Sequence, residues 1–132
     1  MDTIINDGVP QTGSIDSEED TSFAGTTITA GSSVDYPNIN GKVYNGKVIG
    51  LGIRVDWPGL AGNSDFRVRY QHRTVTDGSS SFDGFQDWFS VTNDNRKIEN
   101  LEISGSRVRL IIENQDGSED MNVEYFDITE KH

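Results

Sequence analysis

Two stretches decide the fold: Val48 to Trp57, VIGLGIRVDW, and Phe66 to Thr74, FRVRYQHRT. In the first, Ile49, Leu51, Ile53, Val55 and Trp57 alternate with Val48, Gly50, Gly52, Arg54 and Asp56. Successive side chains of a strand point to opposite faces, so this spacing makes one wholly apolar face and one small or charged face. The second stretch repeats the device. Phe66, Val68, Tyr70 and His72 point one way, and Arg67, Arg69, Gln71 and Arg73 the other. Both read as strands with one face against a core.

Further strand-like runs lie on either side. Ser22 to Ala30 and Lys42 to Tyr44 are short; Trp88 to Thr92, Ile98 to Ile103, Arg107 to Asn114 and Met121 to Thr129 complete the set. In the run from Arg107, Val108, Leu110 and Ile112 alternate with Arg107, Arg109, Ile111 and Glu113. Asn-Gly at 40–41 and 45–46, and Asp-Gly at 77–78, 83–84 and 116–117, punctuate the text. Such pairs tolerate the positive φ of two-residue hairpin turns. No window carries apolar residues at i, i+3, i+4 and i+7, so no helix is expected. The pattern predicts an all-β domain of about eight antiparallel strands closed as a two-sheet sandwich or jelly roll. A single open sheet could not bury two tryptophans, six phenylalanines and four tyrosines. No repeat of solenoid or propeller length is visible.

The expected organisation is an acidic N-terminal arm over residues 1–20 and a sandwich over 21–132. In the arm, Ile4, Ile5, Val9 and Ile15 are too dispersed for a helical stripe, and Gly8, Pro10 and Gly13 interrupt any regular element. It reads as an extended arm or short edge strand followed by a solvated turn at Glu18-Glu19-Asp20.

Charge narrows the environment. The 132 residues carry 22 acids against 11 bases, a net charge of -11. Residues 1–41 hold seven acids and neither Lys nor Arg, and the bases are seven arginines to four lysines. Acid-rich, lysine-poor chains suit high salt, where a Debye length of about 3 Å suppresses self-repulsion; the alternative is an acidic mesophilic surface protein or one with a disordered acidic tail. On the high-salt reading, melting temperature falls as salt drops from molar to millimolar. Clustered Lys and Arg, which phosphate contacts need, are lacking overall, so nucleic acid is not an expected partner. The longest apolar run, Leu110-Ile111-Ile112, serves neither as a bilayer span nor as a signal peptide. With no cysteine, disulfides, zinc-thiolate sites and thiol catalysis are excluded.

Candidate chemistry is sparse. His72, the sole interior histidine, shares a face with Phe66, Val68 and Tyr70 and reads as a packed residue; no Ser or Asp spacing around it suggests a triad. Arg67, Arg69 and Arg73 with Arg107 and Arg109 form a cationic ladder if their strands are neighbours. It would pair with acids across the sheet, with the acidic arm, or with another copy of the chain. The loop 76–89 mixes Asp77, Asp83 and Asp87 with Phe82, Phe85, Trp88 and Phe89. It reads as a sugar platform, a protein contact, or a connection capped into the sandwich end by Trp88 and Phe89. Asp77, Asp83 and Asp87 are candidate oxygen ligands for structural Ca²⁺ or Mg²⁺, with Asp94 and the group Asp116, Glu119 and Asp120 comparable. None matches the twelve-residue calcium loop.

The succession VIGLGIRVDW, FRVRYQHRT, a loop ending DWFSV, RVRLIIENQDG and NVEYFDI resembles the accessory β-sandwich proteins of tailed-virus particles. Capsid decoration, turret and tail-attachment components are of this kind, and the composition is similar to that of haloarchaeal tailed viruses. The resemblance implies a non-enzymatic virion part, assembled in the host cytoplasm without a leader. It would be a symmetric oligomer docked on capsid or tail proteins and clamped by its arm, with the exposed end that carries the 76–89 loop facing solvent, a host receptor or surface glycan, or another decoration protein. The alternative is a carbohydrate-binding module, with Trp57, Trp88, Tyr36 and Tyr44 as stacking candidates.

Overall fold

The computed structural model describes residues 23–44, 47–73, 82–103 and 107–131, together with the backbone of 15–19. The strands are β1 (Ile15–Glu19), β2 (Thr27–Ile28), β3 (Ser33–Tyr36), β4 (Val48–Asp56), β5 (Phe66–Arg73), β6 (Gln86–Val91), β7 (Arg96–Glu102), β8 (Arg107–Asn114) and β9 (Met121–Lys131). They form two antiparallel sheets, as the alternation predicts. Sheet A runs β1-β9-β4-β7, with β2 also pairing β9; sheet B runs β3-β8-β5-β6. From β2 onward the chain changes sheet at every connection except β5 to β6. That alternation is the winding of a jelly roll, with β1 and β2 sharing one edge position along β9.

Several local expectations are corrected. The run from Ser22 shrinks to β2, because Gly25 takes φ 93° and Thr26 N–H closes a turn onto the Phe23 carbonyl at 3.1 Å. Lys42 to Tyr44 supplies only a bridge from Lys42 to Val108. Glu18 and Glu19, expected in a turn, lie in β1 with their backbone opposite Ile128 and Asp127. Residues 1–14 and 20–22 of the expected arm and its junction, and the turn pairs at 45–46 and 77–78, fall outside the described residues.

The turn pairs at Asn40-Gly41 and Asp116-Gly117 mark crossings between sheets rather than hairpins. Gly41 takes φ 68°, and a Cβ there would stand 2.6 Å from the Val108 carbonyl oxygen, so only glycine fits. Gly117 needs no left-handed backbone. Instead, the Asp116 carboxylate accepts from the backbone N–H of Ser118 (2.9 Å) and Glu119 (2.7 Å) and from the Ser64 hydroxyl (2.7 Å). These donors, with that of Ser118 foremost, hold its pKa at about 2.

The inward faces meet in one core. Ile49, Leu51, Ile53, Val55 and Trp57 of the opening stretch are all buried, as are Phe66 and Val68. Phe23, Tyr36 and Phe126 form an aromatic cluster with centroids 4.3–5.3 Å apart. A fully buried side chain of this size stabilises by about 1.5–3 kcal/mol. Asn114 is a fully buried polar residue in the core. Asn114 Oδ1 accepts from Trp57 Nε1 and from Asp116 N–H, both at 3.0 Å, and its Nδ2 donates to the carbonyls of Ile28 (3.1 Å) and Glu119 (2.8 Å). Its hydrogen-bonding groups are thus satisfied while it ties the two sheets together.

Two bulges re-aim side chains. Val55 pairs Val123 and Arg54 pairs Tyr125, leaving Glu124 as the extra residue of β9. Val68 pairs Phe89 and Arg69 pairs Asp87, leaving Trp88 as the extra residue of β6.

Candidate functional site: two outer faces

The outer face of sheet B carries the arginine ladder, and the structure does bring its members together. In the β5–β8 register Arg67 opposes Glu113, Gln71 opposes Arg109 and Arg73 opposes Arg107. The chain's own groups then engage them. Arg67 Nε donates to Glu113 in an ion pair. Arg109 donates to Gln71 Oε1 and, at 2.6 Å, to the Ile39 carbonyl, and lies 4.1 Å from the Phe82 ring centroid. Arg69 stacks at 4.5 Å on Phe85, and Arg107 reaches the Gly41 carbonyl at 3.4 Å. Gln71 and Ile111 are buried on this outward side. The segment from Phe82 therefore folds down over the sheet.

This settles where the exposed-loop residues lie. Phe82 is half-buried against Arg109, while Phe85 stays exposed above Arg69. Trp88 is half-buried in its bulge, edge-on to Phe89, and its Nε1 donates to the Asn100 carbonyl of β7 at 3.0 Å, joining the edges of the two sheets. Of the other stacking candidates, Trp57, Tyr36 and Tyr44 are buried in the core and present no ring to a ligand. Aromatic identity alone did not distinguish core from surface.

Asp77 of the candidate ion site falls outside the described residues. Asp83 is placed by its backbone, which donates to the His72 carbonyl at 2.7 Å and accepts from Gln71 Nε2 at 2.9 Å; Asp87 faces Arg69 across the ladder. Among the described residues no three acidic or histidine side chains converge on a point. His72 lies on the core side, 5.3 Å edge-on to Tyr70; burial pushes its imidazole below the ordinary value, with Asp83 partly opposing.

The outer face of sheet A is different in kind. Its central strand β4 turns Gly50 and Gly52 outward between β7 and β9. Neither takes a left-handed backbone, so the chain conformation does not require glycine there. A Cβ on Gly52 would meet only the Tyr125 ring, at 3.6 Å, and one on Gly50 would approach Asn100 Oδ1 at 3.0 Å. Glycine within a strand weakens it, and marks places where something must approach the backbone closely. Here the two glycines floor a groove of about 620 Å³.

The walls are chemically mixed. The Glu124 bulge shifts the phase of β9, so Tyr125 and Asp127 face out while Phe126 and Ile128 face the core. Tyr125 is 42% exposed and Ile98 of β7 is 83% exposed. Asn100 accepts from Lys131 Nζ at 3.1 Å, and Arg54 faces Glu124 at 3.6 Å. Arg96, opposite Arg54, completes the rim on the β7 side. Asp127 is the sole carboxylate among the described lining residues. The arrangement can hold a ring between an aromatic and an aliphatic side chain and hydrogen-bond its edge.

Sequence reading passed over this site. The two glycines were visible on the small-or-charged face of the opening stretch. Tyr125 was hidden by the bulge, whose trace is the three-residue step from Val123 to Phe126 in an otherwise alternating run.

Among the described residues the molecule is a jelly-roll β-sandwich with one covered outer face and one open one. No family model and no curated protein matches the chain. Among solved structures it is similar to the CBM22-1 xylan-binding domain from Paenibacillus barcinonensis Xyn10C. The identity is 18%, the TM-score is 0.45, and the match covers 91% of this chain and 83% of that one.

Proposed function

We propose that this chain is a carbohydrate-binding module whose ligand lies along the outer face of sheet A. The observation that carries the reading is the floor of Gly50 and Gly52, backbone left bare on the central strand although the local conformation suits any residue. A sugar ring seats its C–H face against Tyr125 and Ile98, while Asn100, Asp127 and Thr129 meet its hydroxyls. Such a ring presents the alternation of apolar face and polar rim that these walls complement. A shallow groove with one aromatic wall fits a Kd on the order of 0.1 mM, about −5.5 kcal/mol.

Titration with soluble polysaccharides, followed by calorimetry and by tryptophan fluorescence, tests this directly. Trp88 reports on the groove because its indole is bonded to the Asn100 backbone. Saturable binding supports the module; absence of heat and fluorescence change with every glycan removes it. The virion-component reading rests on composition and on resemblance of strand pattern, and becomes the leading one only in that second case.

A further inference from the structure

We infer that the groove on sheet A selects an acidic polysaccharide, one bearing carboxylate or sulfate groups, over a neutral one; this rests on the carbohydrate reading above. The chain carries twice as many acids as bases, yet its groove reverses the sign. On the face that Gly50 and Gly52 share, Arg54, Arg96 and Lys131 line it against Asp127 and Glu124, the latter beside Arg54, so three of the eleven bases gather where two of the 22 acids do.

The placement also costs stability. Arg54 and Arg96 stand directly opposite each other in the β4–β7 register, and like charges so placed repel. Glu124 faces Arg54, whereas no ion pair to Arg96 is formed among the described residues. The cations of sheet B are engaged by Glu113, Phe82 and Phe85; in the groove Arg54 faces Glu124 and Lys131 donates to Asn100, while no aromatic ring lies over Arg96 among the described residues. An anion laid across β4 and β7 relieves the Arg54–Arg96 repulsion, and guanidinium groups bind carboxylate or sulfate by paired hydrogen bonds. In a protein of net charge -11, such a patch also separates ligand from the repelling remainder of the surface.

The test compares polymers that differ only in charge. Polygalacturonate is set against its fully methyl-esterified form, and dextran sulfate against dextran, by calorimetry at 50 mM and 1 M NaCl with folding verified at both. The expected result is at least tenfold tighter binding of one acidic polymer than of its neutral counterpart at low salt. That advantage shrinks at 1 M as the charges are screened. The double variant R96Q/K131Q, with melting temperature checked, loses most of the preference. Equal affinity within each pair overturns the inference while leaving the carbohydrate reading intact. No binding of any of the four polymers overturns the inference, and if a wider glycan panel also fails, the carbohydrate reading falls with it. A preference that survives both high salt and R96Q/K131Q overturns the electrostatic account.

Discussion

The two outer faces of this sandwich use similar residues to opposite ends. Sheet B has five arginines on two adjacent strands, and the chain closes over them: Glu113 pairs Arg67, Phe82 lies on Arg109, and Phe85 lies on Arg69. Sheet A has fewer cations, but its central strand is stripped to glycine and its neighbours leave Ile98 and Tyr125 in solvent. A cationic ladder is thus no sign of a binding surface by itself. Its meaning depends on whether the same chain supplies the cover.

The sharpest way to break that contrast is to fill the groove. Gly52→Leu adds a side chain where a Cβ finds only ordinary contact with Tyr125, so the fold accepts it. Glycan affinity falls tenfold or more by calorimetry, while stability is unchanged or rises by about 0.5–1 kcal/mol, the usual cost of a strand glycine. Retained affinity would move the ligand elsewhere. Gly41→Ala is the structural counterpart. It forces a left-handed alanine against the Val108 carbonyl, and denaturant unfolding should show a loss of about 1–3 kcal/mol.

On the covered face, Arg109→Leu strands Gln71 and the Ile39 carbonyl and removes the cation from Phe82. A stability loss of about 1–2 kcal/mol is expected, with glycan affinity unchanged within twofold. A large drop in affinity would show that the faces are not independent. The smallest effect concerns pH. His72 binds protons less readily folded than unfolded, so stability falls as pH drops through its ordinary value of 6.5. Denaturant midpoints between pH 7 and 5 should decline in the native protein and flatten in His72→Gln.

The sequence made the strand content legible because β4, β5 and β8 alternate without interruption, and alternation is a local property. It did not make the winding legible. Asn40-Gly41 and Asp116-Gly117 announce a reversal of chain direction, and whether the next strand lies alongside or in the opposite sheet is decided by long-range packing. β3, with the short text SVDY, exists because Val34 and Tyr36 find Ile112 and Leu110 across β8. The site failed to appear for a related reason. Gly50 and Gly52 were evident as an outward pair, but which outward face stays open depends on where the Phe82–Phe85 segment folds. Tyr125 faces outward only because Glu124 is inserted ahead of it.

The most direct test of the account is an amide chemical-shift titration of the isotopically labelled protein with a bound oligosaccharide. The signals of Gly50, Gly52, Ile98, Asn100 and Tyr125 should move, while those of Arg69, Arg109, Phe82 and Phe85 stay in place. Shifts concentrated on sheet B and its covering segment, with the glycine strand silent, would contradict it.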